Sequence, residues 1–253
     1  MRTMKYKLIM IEKAKSVAMV TLNRPRVGNA INQAMAQELR GAFVEMDRDD
    51  DVRVIVLTGA GNAFCKGAEA LKSVQDIESL RVASSVADVK KPVIAAINGD
   101  AIDQGLELAL ACDIRIAARN ARLGLTHVEK GYLPWDGGSQ RLPRLIGRSW
   151  ASYLLLTSVV LSAEDALGIG LINEVAANGK LLARANEIAS AIVQYGPVAA
   201  GYTKEAVHKG SDMMLAHGLG LEADLSILLH TTEDRAEGIR SFLEKRKPRY
   251  TGK

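Results

Sequence analysis

Apolar residues follow two rhythms along the chain. YKLIMIE (6–12) and VAMVTLN (17–23), separated by KAKS, predict a β-hairpin near the start. From Gln33 to about Met46 the apolar positions recur at helical spacing. VRVIVLTG (52–59) is an unbroken aliphatic run ending in glycine, the pattern of a strand covered on both faces. PVIAAING (92–99) and DIRIAA (113–118) read as further strands, with GLELALAC (105–112) as a short helix between them, in a βαβ manner. From Ser162 onward the spacing turns helical, through AEDALGIG, LLARANEIASAIVQ, PVAAGYTKEAVHK and MLAHGLGLEADLSILL, punctuated by Gly and Pro. The pattern predicts an α/β core followed by helices, with neither internal repeats nor low-complexity segments.

Composition narrows the picture. A chain of 253 residues is long enough to bury a sizeable core, and with aromatics at 4% that core must be mainly aliphatic. Cys65 and Cys112 form no CxxC pair and stand near no histidine at metal-ligand spacing, so neither a disulfide scaffold nor a zinc site is expected and a reducing, cytoplasmic setting is. No window reaches the roughly 18 apolar residues of a membrane span, and the opening MRTMKYKLIMIEKAKS lacks the apolar stretch of an export signal. Net charge is +4 with a pI near 9.0, but the basic residues are dispersed and only EKRKPRYTGK clusters them. That suits holding a polyphosphate and gives little support to nucleic-acid binding. No GxGxxG turn follows a strand and no His/Cys/carboxylate cluster is spaced for a metal, so no metal or redox cofactor is expected.

Five segments, in order, resemble the enoyl-CoA hydratase/isomerase (crotonase) family: VTLNRPRVGNAIN (20–32 with its preceding Met19), LTGAGNAFCKGAEALK (57–72), KPVIAAINGDAIDQGLELALACDIRIAARNARLGL (91–125), GYLPWDGGSQRLPRLIGRSWASYLLLTSVVLSAEDALGIGLINEV (131–175) and EGIRSFLEKRKPRY (237–250). The resemblance implies an α/β spiral of repeated β-β-α units over residues 1–190. It also implies a helical region over 191–253 that forms homotrimers or hexamers, and an acyl-CoA thioester substrate with no further cofactor. The shared chemistry is stabilisation of a thioester enolate by two backbone N–H groups, which motif alignment places at Ala68 and Gln104. For CoA binding the resemblance points to Arg24, Arg26, Phe64, Lys66, Ala68, Phe242 and Lys245, the last two from a neighbouring subunit if the assembly is as implied.

The residues themselves add to this. Asp103-Gln104-Gly105 leads into the helix LELALAC, whose N-terminus offers unpaired N–H groups to an anion. The family carries GGG here, so Asp103 reads either as a helix cap or as a carboxylate close to the enolate site. Glu107, one turn beyond Gln104, matches the first catalytic glutamate, and its apolar neighbours set it apart from a solvent-facing residue. The family's second glutamate falls at His127, a residue that either joins Glu107 in acid–base work or only packs in the pocket wall. Asp136 in PWDGGSQRL is a third acidic candidate, or the support of an Asp-Gly turn; Trp135 is expected to line the acyl pocket. Fewer residues than in many relatives separate GAEAL from KKPVIAA, which reshapes the flank of that pocket.

The leading expectation is an enoyl-CoA hydratase. The alternatives are an enoyl-CoA isomerase or a specialised hydratase of cyclic or dienoyl esters using one acid–base residue, and, in another class, a weakly catalytic CoA- or RNA-binding homologue. The dispersed charge and the absence of an aromatic stacking stripe argue against the RNA reading.

Overall fold

The computed structural model describes residues 6–70 and 73–253, so Leu71 and Lys72 at the end of the 57–72 motif lie outside it. Its strands are β1 (Ile9–Ala14), β2 (Val17–Leu22), β3 (Val54–Gly59), β4 (Ala63–Cys65), β5 (Val93–Ile97), β6 (Asp100–Ile102), β7 (Ile114–Ala118), β8 (Arg122–Gly124), β9 (Leu161–Ser162) and β10 (Glu174–Ala176). Its helices are α1 (Gln33–Arg48), α2 (Val74–Leu80), α3 (Ala83–Ala87), α4 (Gln104–Leu110), α5 (Gly138–Thr157), α6 (Ala163–Gly168), α7 (Leu181–Val193), α8 (Pro197–Gly210), α9 (Leu215–His230) and α10 (Glu233–Leu243).

The predicted hairpin is β1–β2, paired antiparallel from Ile9 opposite Leu22 to Ala14 opposite Val17. It opens a six-stranded sheet of order β1-β2-β3-β5-β7-β10, in which every other pair is parallel. β4, β6, β8 and β9 form a second, four-stranded sheet. The chain therefore winds in β-β-α turns. β3, β5 and β7 each lie in the large sheet, β4, β6 and β8 follow in the small one, and a helical segment completes each turn.

The aliphatic runs explain the layering. Along β3, Ile55 and Leu57 join the main core with Leu39, Phe43 and Met46 of α1, while Val54 and Val56 face Leu181, Ala185 and Ala189 of α7. β5 divides in the same way, with Val93, Ala95 and Ile97 on one side and Ile94 and Ala96 on the other. Each such fully buried aliphatic side chain contributes roughly 1.5–3 kcal/mol. Asn32 starts α1 by accepting the N–H of Met35 at 2.9 Å.

Two features depart from the hydrophobic pattern. The strands of the small sheet have only two or three residues each, too few to show a period, and β10 adds a strand to the large sheet beyond Ser162, where the spacing reads as helical. α7 runs unbroken through residue 190 onto the sheet, and α8 is tied to the core through Asp113. The Asp113 carboxylate accepts from Val93 N at 2.7 Å and pairs with Lys204 Nζ and His208 Nε2, each at 2.9 Å.

α4 sits at the centre, with all seven of its residues buried. Its first turn lies so close to β4 that a Cβ on Gly105 would come within 2.0 Å of the Cys65 carbonyl oxygen. The glycine lets the helix start next to the Lys66–Ala68 segment. Gly105→Ala is therefore expected to force α4 from β4, lowering stability by about 1–3 kcal/mol in chemical denaturation; an unchanged unfolding midpoint would show that the contact yields freely.

Candidate active site

The first turn of α4 presents Gln104 and Glu107 to the same neighbour, the loop carrying Asp136. Glu107 has no exposed surface. Its Oε1 accepts the backbone N–H groups of Asp136 at 2.8 Å and Gly138 at 2.7 Å. Gly138 is close enough that a Cβ there would lie 3.0 Å from Oε1. The other oxygen, Oε2, has no hydrogen-bond partner among the described residues and lies 3.6 Å from Nε2 of His127. Burial pushes the Glu107 carboxyl up to about 7, helped by the negative charges of Asp136 and Asp103 and opposed by the two N–H groups.

His127 begins a 3₁₀ turn, His127–Lys130, and is 4% exposed. Its Nδ1 lies 3.5 Å from Asp103 Oδ1 and has no hydrogen-bond partner among the described residues. Burial holds the imidazole below its ordinary pKa; the carboxylate of Asp103 opposes this shift and the ammonium of Lys130 adds to it. At neutral pH the pair thus consists of a neutral imidazole and a carboxyl group near its midpoint, the state best suited to passing protons in either direction.

Asp103 does not cap α4 with its side chain. Its carboxylate instead accepts from Thr126 N at 2.6 Å and Thr126 Oγ1 at 3.0 Å, and pairs with Lys130 Nζ. Asp136 is enclosed too. Its Oδ2 accepts from Val82 N at 2.8 Å, Ala83 N at 3.1 Å and Gln104 Nε2 at 3.0 Å, while its carbonyl accepts from Arg141. Thr126 and Lys130, four apart on one turn, and the Gln104 amide were not singled out by the sequence reading; the i, i+4 spacing opposite an out-of-place aspartate is the signal that could have found the first two.

Beside this cluster are the two expected donors. Ile31 N donates to Gly67 O at 2.8 Å and Glu69 N to Ile31 O at 2.9 Å, which leaves the intervening Ala68 N–H out of that bridge. Gln104 N–H is the first of α4 and has no intrahelical acceptor. Neither group donates a hydrogen bond among the described residues. The two segments abut: a Cβ on Gly67 would lie 3.4 Å from that of Asp103.

The remaining candidates are dispersed. Arg24 bridges the Ala30 carbonyl and Glu69, Arg26 is exposed, and Lys66 pairs with Asp100 at 3.3 Å. Phe64 is wholly buried, backbone included. Trp135 packs half-buried on the main core. Phe242 is 82% exposed, and among the described residues no hydrogen bond or ion pair joins it or Lys245 to the Glu107 group. Among the described residues no three His, Cys, Asp or Glu are arranged to hold a metal ion.

Burial of Glu107 has a cost that pH reveals. Its carboxyl titrates near 4.5 in the unfolded chain and at about 7 in the fold. The folded state therefore holds a proton that the unfolded state has lost, and this contribution is present below pH 4.5 and lost as pH rises through 7, on the order of 3 kcal/mol in all. Glu107→Gln keeps the acceptor for both N–H groups. It is expected to melt roughly 5 °C or more above the unaltered protein at pH 8, with the gap closing toward pH 4.5; thermal melts across that range check it.

The sequence model described as enoyl-CoA hydratase/isomerase matches residues 12–253. The chain is 40% identical to the (E)-benzylidenesuccinyl-CoA hydratase of Thauera aromatica, over 96% of this chain and 99% of that protein. It is 36% identical to the crotonyl-CoA hydratase of Syntrophomonas wolfei, over 99% and 100%. Its fold superposes on the crystal structure of an enoyl-CoA hydratase from Bacillus anthracis with a TM-score of 0.94 at 38% identity, covering 98% of this chain and 100% of that one. A match across nearly the whole sequence and a shared spiral of β-β-α turns lead to one conclusion: the chain is an enzyme of the enoyl-CoA hydratase/isomerase family.

Proposed function

We propose that the protein adds water reversibly to the double bond of a 2-enoyl-CoA, with Glu107 and His127 as its two catalytic residues. The observation that carries this reading is the 3.6 Å approach of Glu107 Oε2 and His127 Nε2, neither saturated by the other. A separation too long for a hydrogen bond leaves both atoms free to hold one water at hydrogen-bond distance. Neutral His127 takes a proton from that water as its oxygen bonds to the β-carbon. The charge that develops on the thioester oxygen is met by the N–H groups of Ala68 and Gln104. Protonated Glu107 delivers its proton to the α-carbon, and the proton now on His127 returns across the short gap to Glu107. Atoms balance and both groups are reset.

Asp136 takes no proton in this scheme. Its carboxylate is occupied by α3 and Gln104, and its backbone aims Glu107. The CoA moiety lies along Arg24, Arg26, Lys66 and the backbone at Ala68, with Trp135 beside the acyl group and Phe242 and Lys245 reaching in from a neighbouring subunit. The scheme calls for no metal or redox cofactor. Two free, buried thiols, both pushed up to about 12 by burial, suit a reducing cytoplasm, and no helix of the described residues is long and apolar enough to cross a membrane.

Assembly follows from α9. Leu215, Leu219, Ile227 and Leu228 are each at least half exposed, and Leu225 alone of the helix is buried. Such a helix suits burial between copies, so residues 191–253 are assigned to a trimer interface, whether the trimers stand alone or pair into hexamers. Light scattering at micromolar concentration is expected to give a trimer or its multiple, and a monomer would remove the assignment.

For the chemistry, a set of enoyl-CoA esters is incubated with the protein and products are weighed by mass spectrometry. Hydration adds one water to the ester, whereas an isomerase leaves the mass unchanged. Glu107→Gln is expected to lower turnover by at least ~10²-fold with little change in ester binding, and His127→Ala by a comparable factor. A loss under about tenfold for His127→Ala would reduce the residue to pocket wall, and near-normal turnover in Glu107→Gln would end the proposal.

A further inference from the structure

Asp103 occupies a conformation that disfavours it. Its φ of 51° with ψ of −121° is glycine territory, and a side chain there strains the backbone. The carboxylate contributes no cap to the helix it precedes. Among the described residues every polar contact it makes is instead on one turn: Thr126 N and Oγ1, Lys130 Nζ, and, at 3.5 Å, Nδ1 of His127. The turn is thus held at both ends with the imidazole between them. It is 92% or more shielded from water at each of the Asp103, Glu107 and His127 side chains.

We propose that Asp103 is the positioning residue of His127, its carboxylate fixing the imidazole as the Nδ1–H tautomer and so turning the basic Nε2 toward Glu107. This rests on the hydratase reading above and deepens it. The physical reason is charge. With the proton on Nε2, the Nδ1 lone pair would face a carboxylate oxygen at 3.5 Å; with the proton on Nδ1, the same oxygen attracts it. Among the described residues Nδ1 has no hydrogen-bond partner, and a few tenths of an ångström of ring movement bring it and Asp103 Oδ1 to bonding distance. On the far side Nε2 then presents its lone pair to Glu107 Oε2, an oxygen that also lacks a hydrogen-bond partner among the described residues. The arrangement runs carboxylate, imidazole, carboxyl, with one proton to move. The charged groups facing His127 are Asp103 ahead of α4, Glu107 within α4 and Lys130 on its own turn; Asp136 acts one step behind, through Glu107.

Two variants and one spectrum test this. Asp103→Asn keeps the shape and removes the charge. Asp103→Gly relieves the backbone strain but also releases Thr126 and Lys130, so its thermal melt is recorded beside its turnover to show that the fold is kept. Both are expected to lower kcat at least ~10-fold while KM stays within about twofold. Because the carboxylate raises the imidazole pKa, removing it is expected to move the acidic limb of the kcat/KM profile to lower pH. Nitrogen-15 spectra of histidine-labelled protein, assigned by comparison with His127→Gln, are expected to show His127 protonated at Nδ1, and to show both tautomers in Asp103→Asn. Retained kcat with an unmoved acidic limb in both Asp103 variants would overturn the proposal, as would an Nε2–H tautomer in the unaltered protein. If His127→Ala loses turnover while the Asp103 variants do not, the positioning role alone falls; if His127→Ala is near normal, the inference falls together with the two-residue mechanism beneath it.

Discussion

A carboxylate with no solvent contact persists only where donors are already aimed at it, and the turn through Asp136 and Gly138 aims two backbone N–H groups at one oxygen of Glu107. Much of the neighbourhood serves to keep that turn in place. Asp136 is bound through its side chain to the start of α3 and to Gln104 on α4, and through its carbonyl to Arg141 on α5. One residue therefore joins three helices from different turns of the spiral. The spiral brings these helices to a common point because β4, β6 and β8 stack in parallel register, each delivering its helix one strand further along.

The same interaction divides the two oxygens of Glu107. Oε1 is satisfied and fixes the orientation of the group; Oε2 is left without a hydrogen-bond partner among the described residues. Were both saturated, the carboxylate would ionise readily and have nothing to exchange. Desolvation raises the acid and lowers the base, so that at neutral pH Glu107 retains a share of its proton while the His127 imidazole is neutral. The stability lost by burying an ionisable group is thereby coupled to the property that makes it useful.

Much of this was legible in the sequence, for identifiable reasons. The aliphatic runs at 52–59 and 92–99 are strands because both faces of the large sheet are covered, by α1 on one side and α7 on the other, and such strands announce themselves without alternation. Glu107 was legible because an acid amid Leu and Ala needs a reason. The small sheet was not, since two- and three-residue strands carry no period, and β10 was missed for the same cause. The enclosure of Asp136 was hidden more deeply: Val82, Ala83 and Gln104 lie far from it in the chain, and only the winding of the spiral brings them to its carboxylate. Asp103 looked like a cap because Asp before a helix is usually one; its positive φ turns the side chain to the 126–130 turn instead.

The contact between Asp103 and His127 also bears on the routes by which such a sequence can arise. A glutamate at position 127 would bring a third acid against Asp103 and Glu107 in a space closed to water, where like charges repel most strongly. A histidine at 127 with glycine at 103 meets no such conflict. The order of change is therefore constrained: histidine can precede aspartate, but aspartate arriving first meets a neighbour of its own sign. For the two positions, 24 residues apart in the chain, the effect of one substitution therefore depends on which residue stands at the other.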